Sequence, residues 1–210
     1  ARAQADKLPL EDDEPLVRQA ALSAAARIGK SRLERRIAAR FGREEASDLQ
    51  AACLRTLRQL SASEGGAIAL QGLRSADTGV QTEALRWLAA VDHPDRSDAR
   101  GRVQELSGSP SARVRCAALR ALTAIQGEAA QDEIVKRLAD RDHTVRRMAA
   151  LMLGRIGTAA CRPALVQLQS DAVREVRRAA SVALVEHRTR DTDETPAIED
   201  LAVAATRSDA

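Results

Sequence analysis

VRRMAALMLGRI, residues 145–156, decides how this chain folds, because five more copies of its pattern stand in the same chain. VRQAALSAAARI begins at Val17, LQAACLRTLRQL at Leu49, VQTEALRWLAAV at Val80, VRCAALRALTAI at Val114 and VRRAASVALVEH at Val176. The starts lie 32, 31, 34, 31 and 31 residues apart. A period of that length implies stacked two-helix units, in which each unit buries its apolar face against the next, rather than a globule built around one centre.

Numbering each copy from zero, positions 0, +4, +8 and +11 are Val17, Ala21, Ala25 and Ile28 in the first copy and Val145, Ala149, Leu153 and Ile156 in the fifth. That spacing draws one apolar stripe along a helix. Position +4 is Ala in five copies and Cys53 in the other, as expected where two helices approach too closely for a larger side chain. The inner helices are therefore expected near 17–28, 49–60, 80–91, 114–125, 145–156 and 176–187. Gly29 and Gly157 follow directly, as helix terminators do. Ser109 with Pro110, and Asp142, supply start signals.

A second, shorter set of apolar residues covers those stripes: Leu33, Ile37 and Phe41; Ile68 and Leu73; Val103 and Leu106; Ile134 and Leu138; Leu165 and Leu168. The unit is an antiparallel helix pair, with a capping helix expected over 196–206. Pro9 interrupts the opening segment, so the first outer helix is expected to be truncated or irregular. The longest loop is expected at Asp92, His93, Pro94 and Asp95, where the 34-residue interval carries its extra residues.

Composition narrows the class. Hydrophobic residues are 44% and charged residues 30% of the 210, which excludes a disordered chain. No apolar run reaches the roughly 18–20 residues needed to cross a bilayer, and no signal segment opens the sequence. Because the chain opens on Ala1 rather than Met, a longer or membrane-anchored parent protein stays open as an alternative. Phe41 and Trp87 are the only aromatic residues, so Ala, Leu, Ile and Val must build the core. Cys53, Cys116 and Cys161 are odd in number and lack metal-ligand spacing, which argues against a disulfide framework or a zinc site and for a reducing, cytoplasmic setting. Cys53 reads as a small core residue.

Asp, five residues, then Arg with Val just before it, followed by AAxAL and IG, is similar to HEAT repeats, and particularly to the short phycobilisome-lyase-like subclass. Asp12 with Arg18, Asp140 with Arg146 and Asp171 with Arg177 carry the match; Glu44 with Gln50 is partial, and repeats three and four lack the Asp. The resemblance covers roughly residues 11 to 206. It implies an all-α, right-handed, curved α-solenoid of about six antiparallel helix pairs with a C-terminal cap, forming a single domain over 1–210. It also implies a ladder of Asp–Arg ion pairs between adjacent repeats, and that the second helix of each pair lines the concave side. For function it is less specific, since such arrays serve as scaffolds, receptors and accessory domains.

The charge is unevenly placed. Positions 0 to +11 of the six inner helices hold 12 Arg, no Lys and two acids, Glu83 and Glu186, so these segments carry +10 in a chain whose net charge is +3. Arg at +1 (Arg18, Arg115, Arg146, Arg177) belongs to the ladder. Positions +2, +6, +9 and +10 lie opposite the core stripe, and there stand Arg27, Arg55, Arg58, Arg86, Arg120, Arg147, Arg155 and Arg178 against the single acid Glu186. These eight are the candidate partner-binding residues of the concave face. A merely solvated face biased to Arg by codon usage is the plainer explanation, and Lys appearing only three times fits it.

Three functions compete. The leading one is a non-catalytic scaffold or adaptor, expected to be monomeric, holding a protein partner with an acidic surface or segment through bidentate Arg contacts. The second is nucleic-acid phosphate binding; it ranks lower because almost no aromatic residue is present to stack on bases. The third is an enzyme, or an accessory domain of a larger enzyme or membrane protein. His93, His143 and His187 stand far apart in sequence, no phosphate loop or metal-ligand cluster appears, and no catalytic residue, cofactor or metal is assigned. Cys116, at +2 beside Arg115, is the better of two weak candidates for a reactive thiol, ahead of Cys161.

Overall fold

The computed structural model describes residues 8–28, 33–61 and 65–194, the side chains of Asp95 and of residues 188–194 excepted. The chain divides into two compact units, Ala1–Gly127 and Glu128–Ala210. All regular structure among the described residues is helical.

The first unit holds α1 (Pro15–Ile28), α2 (Glu34–Arg43), α3 (Ser47–Gln59), α4 (Gly65–Gly72), α5 (Thr78–Ala90), α6 (Arg100–Leu106) and α7 (Ala112–Gln126). The inner helices α1, α3, α5 and α7 pack side by side in chain order, and the outer helices α2, α4 and α6 pack on α3, α5 and α7. The second unit holds α8 (Gln131–Lys136), α9 (His143–Ile156), α10 (Arg162–Leu168) and α11 (Arg174–Glu194). Here α9 and α11 pack as inner helices, with α8 on α9 and α10 on α11. All six sequence copies are inner helices.

The small residues at +4 mark the deepest line of the core. Ala21 is 3% exposed, and Cys53, Ala84, Ala118, Ala149 and Ala180 are fully buried. Leu33, Ile37 and Phe41 of the outer layer, and Leu165 of α10, are buried as well. Burial pushes the Cys53 thiol up to about 12, which leaves it a packing residue.

Two expectations change. Residues 94–99 are not a loose loop: the extra length of that repeat is taken up as a 3-10 turn, Pro94–Ala99, leading into α6. Gly157 ends α9 as expected, with ordinary extended angles, φ −66° and ψ 144°. Its need for glycine is spatial, since a Cβ there would lie 2.5 Å from Cys161 Sγ and 2.6 Å from the Leu153 carbonyl oxygen. Gly127, at φ 54°, is the helix-ending glycine that uses positive φ. The last inner helix continues to Glu194, beyond residue 187. Gly29 and the cap expected over 196–206 lie outside the described residues; residues 8–14, where the first outer helix was expected to be truncated, contain turns and no helix.

A motif spaced by six residues repeats through both units. The side chain at +1 donates to the main-chain carbonyl six residues earlier: Arg18 Nη1 to Asp12 at 2.9 Å, Gln50 Nε2 to Glu44 at 2.7 Å, Gln81 Nε2 to Ser75 at 2.7 Å, Arg115 Nη1 to Ser109 at 2.8 Å, Arg146 Nη1 to Asp140 at 2.9 Å and Arg177 Nη1 to Asp171 at 2.8 Å. The side chain at the carbonyl residue accepts, in turn, from the backbone N–H two residues on, in Asp12, Glu44, Ser75, Ser109, Asp140 and Asp171 alike. Ser75 and Ser109 thus make the turn that Asp makes elsewhere.

Two rungs of the expected ladder are present. Arg18 makes a bidentate pair with Glu44 of the next repeat, at 2.9 and 3.0 Å. Arg146 does the same with Asp171, at 2.7 and 3.0 Å. Arg18 and Arg146 each hold their own turn by the carbonyl and the next turn by the carboxylate. Gln50 and Gln81 hold their own turns by the carbonyl alone.

Candidate functional site

The inner helices position the candidate arginines because their opposite stripe is fixed in the core. Arg27 on α1 and Arg55 on α3 are exposed and line one groove of about 250 Å³ with Gln19, Ser23 and Gln59. Arg86 on α5 and Arg120 on α7 are exposed, and Arg58 on α3 is half-buried. In the second unit Arg147 and Arg155 on α9 and Arg178 on α11 are exposed. Arg147 and Arg178 share position +2 on packed neighbours, whereas Arg155 sits roughly two turns further along α9.

Three of the eight converge. Arg86 Nη1 donates to Glu83 Oε1 at 2.8 Å, Arg55 Nε lies 3.5 Å from the same oxygen, and Arg58 Nη2 lies 3.8 Å from Glu83 Oε2. Glu83 is 1% exposed. In the other copies +3 is Ala20, Ala52, Ala117, Met148 and Ala179, of which the last three are buried, so the carboxylate enters a place that small or apolar groups fill elsewhere. Glu83 is part of the site, whereas by sequence alone it is one of two acids on the inner helices. A charged residue at an otherwise uncharged repeat position was the available signal. The second acid, Glu186, is exposed and lies over Gly154, where a Cβ would collide with its Oε2.

The ladder carboxylates are tuned by their partners. Burial alone would raise the Glu44 carboxyl, but hydrogen bonds from Arg18 and Arg40 outweigh it and hold it below the usual carboxylate range. The hydrogen bond from Arg146 likewise holds Asp171 low against the effect of burial.

One pair of chemistry-bearing residues came together unforeseen. Cys161 Sγ lies 3.5 Å from His187 Nε2, and each residue is 2% exposed. His187 Nε2 is also 3.1 Å from the Leu153 carbonyl oxygen, which requires the proton on that nitrogen, while the thiol donates to the Thr158 carbonyl at 3.2 Å. A thiol that spends its proton on a carbonyl is not a thiolate, so the contact packs two repeats together. His187 occupies position +11, apolar in the other five copies, and that anomaly was readable. Cys116 is half-buried rather than exposed. His93 packs edge-on against Trp87, ring centroids 5.7 Å apart.

The family described as HEAT repeats matches residues 66–143, 98–185 and 132–210, more than half of the sequence. The chain belongs to the HEAT-repeat family. Solved structures agree on the fold of this HEAT-repeat chain. An engineered protein from the Northeast Structural Genomics Consortium is 20% identical, with a TM-score of 0.64 over 89% of this chain and 98% of that one. A designed armadillo repeat protein in complex with the peptide (KR)4 is 18% identical, with a TM-score of 0.62 over 88% and 98%. The complex of CpcE and CpcF of phycocyanin lyase from Nostoc sp. PCC7120 is 20% identical, with a TM-score of 0.56 over 89% and 83%. At these identities the likeness extends to the fold alone. No curated protein matches the sequence. Among the described residues no helix is long and apolar enough to cross a membrane.

Proposed function

We propose that this HEAT-repeat chain is a non-catalytic binding scaffold whose inner-helix face holds an acidic segment of a protein partner. The observation that carries the reading is the exposure of Arg27, Arg55, Arg86, Arg120, Arg147, Arg155 and Arg178, while one of the two acids on the same helices, Glu83, is buried among arginines. Guanidinium groups present planar paired donors that match carboxylates. A designed repeat protein of related fold was solved with the basic peptide (KR)4, and the Arg row here favours the opposite charge. The units are proposed to act as one domain.

The test is a pull-down with an acidic peptide at physiological salt. Reversing Arg86, Arg120 and Arg147 to Glu is expected to abolish capture with little change in helical content or melting temperature, because exposed positions contribute little to folding. Reversing Arg35 and Arg100 on the outer helices is expected to matter far less. Full capture by the triple variant sinks the proposal. Nucleic-acid binding is the second reading, favoured by the same arginines; a steep, sequence-indifferent fall of affinity for duplex DNA with salt, without peptide capture, would support it.

A further inference from the structure

We propose that Arg55, Arg58 and Arg86, gathered around the buried carboxylate of Glu83, form a site for a phosphorylated side chain of the partner segment. The inference rests on the reading of the inner-helix face as a protein-binding surface and names what one point on it recognises.

Three guanidinium groups from α3 and α5 meet one carboxylate, which leaves two positive charges unmatched within the cluster. Only Arg86 is hydrogen-bonded to Glu83; Arg58 approaches at 3.8 Å, beyond hydrogen-bond reach. Arg58 Nε and Glu83 Oε2 are both buried and have no hydrogen-bond partner. The first is a donor that needs an acceptor, and the second is an acceptor that needs a donor.

A phosphomonoester answers the open donor and the unmatched charge together. At neutral pH it carries about −1.5 to −2 and presents three strong acceptor oxygens. Its dianion matches the two unmatched charges and can accept from Arg58 Nε. An ionised carboxylate brings one charge, so it leaves one guanidinium unmatched. The Arg55 and Arg86 side chains, 50% and 42% exposed, are the parts that give way as the group enters. Glu83 acts as a positioning residue, holding together three like charges that would otherwise repel.

The experiment uses the full chain and one fluorescent acidic peptide in three forms, carrying serine, glutamate or phosphoserine at one position, with binding read by anisotropy at physiological salt. The phosphoserine form is expected to bind on the order of tenfold tighter than the serine form and clearly tighter than the glutamate form. Glu83→Gln removes a negative charge, so general attraction would strengthen binding. The proposal requires the opposite, a collapse of the phosphoserine advantage with helical content retained. Arg55→Gln, at a half-exposed position, must do the same and carries the test should Glu83→Gln fail to fold. Arg100→Gln, on outer helix α6, must keep the advantage. Equal affinity for serine and phosphoserine forms, with both still bound, overturns this site and leaves the scaffold reading standing. Binding of the phosphoserine form alone upholds the site and overturns the acidic-segment reading, and binding of no form overturns both. Duplex DNA displacing the phosphopeptide equally well from wild type and Glu83→Gln assigns the effect to general phosphate attraction and overturns the site.

Discussion

Glu44 is 5% exposed and takes hydrogen bonds from Arg18 and Arg40, so its carboxylate joins two repeats and one outer helix at a single point. Its folded pKa, like that of Asp171, is depressed. The stability each contributes is therefore complete above the unfolded values, about 4.3 and 3.9, and is lost as pH falls through the lower folded values. The urea midpoint is expected to stay level from neutral pH to about 5 and to drop below about 4. Glu44→Gln should cost about 3 kcal/mol at neutral pH, because it leaves two guanidinium groups without their counter-charge, and should flatten the acid limb. A midpoint unchanged by Glu44→Gln would contradict this account. Residues of this kind were only half legible. Glu44 with Gln50 reads as a partial match, but repeats three and four lack the Asp and Ser109 reads only as a helix start, although the hydroxyls of Ser75 and Ser109 make the same turn. Motif matching compares residue names, whereas the turn requires only a side-chain oxygen at the right place.

At the scale of the helix, the sequence was most informative where packing leaves no freedom. The inner helices begin within two or three residues of the expected starts because the apolar stripe and its small +4 residue are fixed by how close neighbouring helices come. The outer helices were less legible, being short and continued by 3-10 turns that no apolar period marks. The Arg row was legible as composition, but its grouping around Glu83 was not, since that depends on which arginines of adjacent helices point to one place. The +4 line makes a direct prediction. Ala118→Leu should cost on the order of 1 to 3 kcal/mol by driving α7 from α5, whereas Ala124→Leu, half-exposed on the same helix, should cost much less. Chemical denaturation of the two variants decides it, and equal midpoints would refute the assignment of faces.

For the whole molecule, the question is whether the two units unfold together. Trp87 is the only tryptophan, is fully buried and belongs to the first unit, so its fluorescence reports that unit alone, while circular dichroism reports every helix. If the chain behaves as one domain, coupled by repeat-to-repeat interfaces, the two signals should share one midpoint in urea. A dichroism change that begins before or continues after the fluorescence transition would show that the units unfold separately.

The six-residue spacing between each turn carbonyl and its +1 side chain also says where such a chain can change length. One residue added inside that interval would carry the Arg or Gln past its carbonyl and turn the helix face that follows by about 100°. At the other junction, the repeat ending in Pro94–Ala99 absorbs its extra residues as a 3-10 turn and still delivers α6 to its place. One hinge of the unit is therefore a fixed gauge and the other is slack. An engineer wishing to graft a tag or a recognition loop onto this protein should cut at the slack hinge, and should expect a graft at the gauge to put every later copy out of step.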